Sequence, residues 1–413
     1  MRQFDQKVLA QSLASGRMVY KVHDVVTIRG HFHEPWATCL TMKSPSLGAT
    51  LSTLIAATAA KTAYTGDILH GYPVISALDV GDVPPNTISR YWISAAQAQG
   101  GLDYFLPVFV ARGTNESLET GRRLSLSASI HGDELNGIPV VQRVFAQLNE
   151  TVASGDFNGT VIGIPTVNPN GNILNQRNFF SSTSNGFCYN LNRVFPGESI
   201  PEGGAIADSY AYTIWNNLWQ NTSNVDIAVD LHTLSTGSNG PLWAYADYRL
   251  PGVGRLAELA QPDIIKIDPG EPGSIETTWV DFGIPAITLE IGPAKIWNQT
   301  LIARAEAFIF RLMEDLSMTP GSAPVEVDLS NTYKATNISS VVVTRSGWVQ
   351  MDVAVLEDVE QGQRVGTVFN SWGDGIDTLT AAVTGRVLSV QTDPAVEQGA
   401  GVLDVVYNAT STQ

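Results

Sequence analysis

The sequence predicts an α/β fold, a mostly parallel mixed sheet flanked by helices, followed by a C-terminal all-β domain of barrel-sandwich type. Three observations carry this. From Arg123 onward, short apolar runs alternate with segments of helical period, the pattern of strands joined by crossover helices. A break rich in Gly, Ser and Pro at 318–324 ends that alternation. Beyond it the chain reads as short strands with Gly turns and no helical period. There the phrase Val359-Glu360-Gln361-Gly362 returns as Val396-Glu397-Gln398-Gly399, two like turns of a small quasi-symmetric barrel or sandwich.

In chain order, residues 61–120 carry turn signals at Tyr72-Pro73 and Pro84-Pro85-Asn86, then an alternating stretch at 104–110. These read as edge strands leading into the main sheet. Strands are expected at 124–130, 160–167, 225–231 and 285–291, and helices at 137–149, 205–220 and 299–316. The resulting units are an α/β domain over 61–317 and a β domain over 325–413. The β domain resembles the barrel-sandwich shape of biotinyl and lipoyl carriers. A carrier needs a Lys at a hairpin tip, whereas the only Lys beyond the break is Lys334, near the start of the unit, so the carrier reading fails.

Composition narrows the function. At 413 residues, 44% hydrophobic and 15% charged, the chain can build a sizeable core and is not a disordered polymer. Its 24 Lys+Arg against 40 Asp+Glu give a formal charge of -16, which excludes a general binder of nucleic-acid phosphates. Two cysteines can form neither a disulfide scaffold nor a Cys-rich zinc site. No apolar stretch is long enough for an ordinary transmembrane helix, and neither a nucleic acid nor a membrane is expected as a partner.

The chain's beginning has the layout of a secretory leader displaced inward. Met42-Lys43 is a short basic start, a modestly apolar run follows, and small residues precede a cut after Ala60. On this reading translation starts at Met42, residues 42–60 are the signal peptide, and the mature protein is secreted. A start at Met1 would instead make the protein cytoplasmic. The leader would remove Cys39 together with His23, His31 and His33, leaving Cys188 unpaired, expected to be a buried thiol, with an intermolecular linker as the alternative. Seven Asn-X-Ser/Thr sites, at Asn115, Asn149, Asn158, Asn221, Asn298, Asn337 and Asn408, are then glycosylation candidates.

Two of the three remaining histidines end predicted strands. One sits in His131-Gly132-Asp133-Glu134, the other in Asp230-Leu231-His232-Thr233. Ligand sites of open α/β sheets lie beyond the carboxyl ends of strands. His131 and Glu134 on one strand-to-helix turn, completed by His232 from another strand, give three N/O ligands with an open fourth position, the description of a catalytic zinc site. A further strand end carries Glu290, costly to bury unless paired or functional, and suited as the general base beside a zinc. Arg177, downstream of Asn168-Pro169-Asn170-Gly171, can stabilise an oxyanion, and Arg193 with Asn192 can hold a substrate carboxylate.

Taken together, these phrases resemble the succinylglutamate desuccinylase/aspartoacylase family, relatives of the zinc carboxypeptidases, over roughly residues 88–413. The resemblance rests on His131-Gly132-Asp133-Glu134, Asn168 to Gly171, Asn192-Arg193 with Phe195-Pro196-Gly197, Asp230 to Thr233, and Glu290-Ile291-Gly292, in the family's order. It implies one zinc ion per chain held by His131, Glu134 and His232, with Glu290 as the catalytic carboxylate and Arg177 as the oxyanion or carbonyl contact. Asn192 and Arg193, with Asn168, would bind the substrate. One residue departs: Asn190 stands where the family has Asp before Leu-Asn-Arg. The spacer from Arg177 to Asn190, with Ser181 to Gly186 inside it, reads as long and flexible. The implied activity is zinc-dependent hydrolysis of the amide, or ester, of an N-acyl amino acid or similar small carboxylate-bearing molecule. The rivals are a secreted zinc carboxypeptidase acting on peptides and a non-catalytic binding protein on the same fold.

Overall fold

A computed structural model describes residues 61–183, 186–199, 205–321 and 323–409. The leader expected at 42–60, with Cys39, His23, His31 and His33, lies outside the described residues. The chain enters through β1 (Ala63–Leu69), β2 (Tyr72–Ala77), β3 (Thr87–Gln97), β4 (Asp103–Arg112), β5 (Arg122–Ala128) and β6 (Gly159–Ile164). A two-stranded ribbon, β7 (Phe179–Thr183) and β8 (Gly186–Tyr189), stands apart from the main sheet. Then follow β9 (Ile227–His232), β10 (Ser238–Asn239), β11 (Leu242–Ala246), β12 (Ile264–Ile267), β13 (Ala286–Ile291) and β14 (Tyr333–Ala335).

Eleven strands form one sheet in the order β1-β2-β3-β4-β6-β5-β9-β13-β11-β12-β14. Six of its ten pairings are parallel. Its centre, β6-β5-β9-β13, is parallel throughout and almost wholly buried, as strands covered on both faces must be. The edge expected at 104–110 became β4, an interior strand that joins the N-terminal strands to this centre.

Helices Gly137–Ser154 and Gln299–Asp315 pack against each other, burying Val144, Phe145 and Leu148 of the first and Phe308, Ile309 and Leu312 of the second. Each such side chain contributes about 1.5–3 kcal/mol on full burial. The first helix stops at Gly155, whose φ of 85° suits a left-handed cap, and the second starts where Asn298 accepts the Leu301 N–H. The aromatic segment expected as one helix over 205–220 is α-helical at Ile206–Thr213 and widens into a π-turn at Ile214–Leu218. That turn seats Trp215 and Trp219 against Trp279, all three fully buried.

After the break, two antiparallel sheets face one another. One has β15 (Asn337–Val342), β17 (Asp358–Val359), β20 (Gly385–Gln391) and β22 (Gly401–Tyr407). The other has β16 (Gly347–Met351), β18 (Arg364–Phe369), β19 (Gly375–Thr380) and β21 (Ala395–Val396). Val349, Val365 and Val368 meet Val387, Val402 and Val405 in a core of their own. The two like phrases are both tight turns after short strands, with Gly362 and Gly399 at φ of 84° and 92°, where a side chain would be strained. The sandwich and the α/β layer exchange strands: β14 extends the large sheet beside β12, and β10 extends the β20 sheet. This exchange brings the start of β15 over the carboxyl end of the large sheet. Among the described residues, no helix is long and apolar enough to cross a membrane.

Candidate metal centre

β5 ends at Ala128, and the chain turns through Ser129, held at φ 55°, to deliver His131 and Glu134 before the helix at Gly137. Gly132 has room for no side chain: a Cβ there would lie 2.2 Å from the carbonyl carbon of Gly171. The two family phrases therefore interlock. Asn168 caps the short helix Pro169–Leu174, accepting the Gly171 N–H at 2.8 Å. Asn172 Nδ2 then donates to Ser129 Oγ and to the Gly132 carbonyl, and the Gly132 N–H donates to the Arg177 carbonyl. Arg177 is fixed by this packing, and Asn168, expected to touch substrate, does not line the cavity. It is fully buried as a helix cap, because the turn needs its oxygen more than a ligand could reach it.

His232 is the last residue of β9, and the parallel register sets it beside Glu290 of β13. One ligating atom each from His131, Glu134 and His232 lies within 4.8 Å of the others, and all three residues are buried. His131 Nδ1 is 2.8 Å from Glu134 Oε1, and His232 Nδ1 is 2.9 Å from Glu134 Oε2. Arg177 Nη1 donates to Glu134 Oε1 and to Ser235 Oγ, each at 2.7 Å.

The far nitrogens decide whether these residues suit a metal. His232 Nε2 faces Asp230 Oδ2 at 2.7 Å, and Asp230 Oδ1 accepts from Ser127 Oγ. His131 Nε2 faces Asn190 Oδ1 at 3.0 Å, and that oxygen also accepts the Asn192 N–H, which fixes the amide's orientation. Both acceptors demand a proton on Nε2, so each imidazole, when neutral, offers its Nδ1 lone pair to a cation beside the Glu134 carboxylate. His131 Nδ1 has no hydrogen-bond partner despite its closeness to the carboxylate. Lone pairs converging in a buried site require a cation between them, and the N, O, N donor set with ordered outer partners fits one metal ion. The electrostatics of the metal-free chain show the same demand for positive charge, there met by a second proton on His232. Although burial alone would raise it, the Glu134 carboxyl is held far below its usual range by His131 and His232. Burial opposes charge on His232, yet Asp230 and Glu134 together hold its pKa well above the ordinary value. Asp230 was legible as a partner only in retrospect: Asp and His two apart on a strand share one face.

Asn190, where the resemblance implies Asp, is a neutral acceptor. An outer acceptor both orients a ligating imidazole and tunes its basicity, and its loss typically costs 10–100-fold in metal affinity. Asn190→Leu is therefore expected to weaken metal binding by about 10–100-fold, and Asn190→Asp to strengthen it, in competition with a chromophoric chelator. Equal affinities across the three proteins would show that His131 needs no help from position 190.

The triad opens into a cavity of about 530 Å³, sized for a small molecule. Glu290, Arg177, Asn192 and Arg193 line it, as do Trp243, Tyr245 and Lys266 from the sheet, Glu276 from helix Ile275–Asp281, and Asn337 and Ile338 from β15. Burial is the main force that pushes Glu290 up to about 8, with Glu134 and Asp230 adding to it and His232 and Arg177 opposing, and its Oε2 has no partner. Asn192 Oδ1 accepts the Ile275 N–H, and the half-exposed Arg193 donates to the Asn192 carbonyl and lies 4.0 Å from Glu271. The spacer expected to be flexible is the β7–β8 ribbon. Cys188 is exposed there, contrary to expectation, because the ribbon stands outside the sheet and its core. Lys266 and Glu276 escaped the sequence reading, since nothing in their local pattern marks them as buried.

The sequence model of the succinylglutamate desuccinylase/aspartoacylase catalytic domain matches residues 120–316. Among solved structures, the chain is similar to the product-bound ectoine utilization protein EutE (DoeB) of Ruegeria pomeroyi, 18% identical, covering 78% of this chain and 96% of that one, with a TM-score of 0.64. It is similar also to an aspartoacylase family protein of Mesorhizobium loti, 20% identical, with coverages of 80% and 97% and a TM-score of 0.62. A third is a succinylglutamate desuccinylase/aspartoacylase of Rhodobacter sphaeroides, 17% identical, with coverages of 80% and 98% and a TM-score of 0.65. At such identities the likeness is one of fold. No curated protein sequence matches the chain. Residues 120–316 thus form a catalytic domain of the succinylglutamate desuccinylase/aspartoacylase type, a deacylase-type hydrolase domain with a buried His–Glu–His site.

Proposed function

We propose that the protein is a zinc-dependent amidohydrolase that releases the acyl group of an N-acyl amino acid or a similar small carboxylate-bearing molecule. The observation that carries this reading is the unpartnered Glu290 Oε2, in register with His232 and opening on the same cavity as the triad. When bound by His131, Glu134 and His232, zinc supplies Lewis acidity to the scissile carbonyl and makes a nucleophile of water near neutral pH.

The residues of the chain do the rest. Glu290 takes a proton from the attacking water and hands it to the leaving nitrogen, so that the product departs as a neutral amine. Arg177, held at 2.7 Å by Ser235, presents its guanidinium to the oxygen on which negative charge develops. Asn192 and Arg193 orient the carboxylate of the amino acid by charge-assisted hydrogen bonds. Asn337 and Ile338 close one wall of the cavity from the C-terminal sandwich, which favours a small substrate over a peptide that needs an open groove.

The test is turnover by metal-stripped and zinc-reconstituted protein on a panel of N-acetyl and N-succinyl amino acids beside short peptides. Hydrolysis of the acyl amino acids that returns with zinc supports the reading. Turnover confined to peptides would replace it with a carboxypeptidase.

A further inference from the structure

A second cavity, of about 670 Å³, shares no lining residue with the one beside the triad. Its floor is the outer face of the helix Gln299–Asp315, where Thr300, Ala303, Arg304, Ala307 and Arg311 follow one another at helical spacing. The opposite face of that helix buries Ile302, Ile309 and Leu312 in the core. Pro262 and Asp263, just before β12, and Asp328 and Asn331, before β14, wall the cavity.

Two of the charged side chains on this cavity cancel each other. Arg304 donates to Asp263 Oδ2 at 2.9 Å and to the Gln261 carbonyl at 3.1 Å, and Asp263 Oδ2 also accepts the Leu242 N–H at 3.1 Å. The other two are left over. Arg311 spends Nε and Nη2 on the carbonyls of Leu259 and Ala260, at 3.0 and 3.4 Å, where the helix Val253–Leu259 ends. Among the described residues it is paired with no carboxylate, and its Nη1 donates to none of them. Burial, and then the like charge of Arg304, hold its pKa below the ordinary value. Asp328 is the converse case. Its Oδ1 accepts the Ser330 N–H at 2.9 Å, hydrogen bonds from Ser330 keep it ionised, and no cation among the described residues pairs with it. One cavity thus carries a guanidinium and a carboxylate that the fold has not neutralised, from segments 17 residues apart in the chain.

We propose that this second cavity binds a free amino acid as its zwitterion, with the carboxylate on Arg311, the ammonium on Asp328 and the side chain over Ala303 and Ala307. A ligand with only negative charge would meet Asp328 and Asp263, and one with only positive charge would meet Arg304 and Arg311. A zwitterion gives each unpaired group its opposite and adds no net charge. The floor decides the rest of the ligand. Ala303, Ala307 and Pro262 offer small apolar surface, which suits an aliphatic side chain, and the volume is that of a small-molecule site. The inference goes beyond the amidohydrolase reading and does not depend on it.

The test is calorimetry on the zinc-loaded protein with three ligands of one shape: leucine, isocaproate, which lacks the ammonium, and isoamylamine, which lacks the carboxylate. Wild type is expected to bind leucine about 10–100-fold more tightly than either of the others, the difference one charge-assisted contact makes. Ala307→Glu removes the site without touching the core. Position 307 is exposed, and a Glu there stands one turn before Arg311, where it pairs with the guanidinium and covers the floor. This variant should lose one equivalent of bound leucine while its melting temperature and zinc content stay those of wild type. Asp328→Asn keeps the acceptor for the Ser330 N–H and should bind leucine no better than wild type binds isocaproate. Absence of leucine binding, isocaproate or isoamylamine held as tightly as leucine, or undiminished leucine binding by folded Ala307→Glu would each overturn the proposal.

Discussion

Glu290→Gln is expected to keep its metal and lose about 10²–10⁴-fold in kcat, the range associated with a positioned general base. The substitution preserves shape and removes only the ability to take a proton. Glu290 is not among the three converging ligands, so metal content by elemental analysis should stay at one per chain while turnover falls. A variant with near wild-type kcat would assign the proton transfer to another group. The same variant has a second readout in the metal-free protein. Burial raises the Glu290 pKa from its ordinary value near 4.5 to about 8, so between those pH values the folded state holds a proton that the unfolded state has released. Its contribution to stability is greatest in acid and falls as pH rises through that window, by about 1.4 kcal/mol per unit. Glu276, raised to about 8 as well, adds a parallel decline. Glu290→Gln should therefore flatten, without abolishing, the loss of stability between pH 5 and 8 in denaturant titrations. An unchanged slope would mean that Glu290 is already charged in the folded, metal-free chain.

Glu134→Ala should be more severe. This carboxylate faces both histidines, accepts from Arg177 at 2.7 Å and takes the Thr233 N–H at 3.1 Å. Its removal takes one of three ligands from the metal and leaves a buried cluster of donors without an acceptor. Metal content is expected to fall to background, activity with it, and the metal-free protein to lose about 3–5 kcal/mol, as when one partner of a buried ion pair is deleted. Retention of a full equivalent of metal by Glu134→Ala would refute the ligand assignment. Metal loss without any loss of stability in the metal-free form would show that the cluster reorganises at no cost.

Much of this was legible along the chain, and the reasons are local. The buried centre of the sheet announces itself because strands covered on both faces must be apolar runs, as at β5, β6, β9 and β13. His131 and Glu134 are three residues apart on one turn, so their shared chemistry is written into a short spacing. Gly132 and Gly171 belong to the same phrases for a tertiary reason, the close approach of two backbones, which the sequence records only as glycines.

Other features had no local signature. Asn168 looked like a substrate ligand because it stands in a family phrase with polar neighbours; folding turns its side chain inward as a helix cap. Cys188 looked like a core thiol because unpaired cysteines are usually buried, but the β7–β8 ribbon has no core to bury it in. Burial of Lys266 and Glu276 depends on strands and helices distant in sequence, and their residue types are the commonest on surfaces.

The sequence by itself determined the fold class and pointed to His131, Glu134, His232 and Glu290, since periodicity marks the strands and each of these residues stands at or just past a strand end. Only the tertiary structure decided which way each imidazole turns, that Asn190 and Asp230 hold them, and which side chains face the ligand. Those are properties of a cavity assembled from two sheets that exchange strands, and side chains meet there across long stretches of chain.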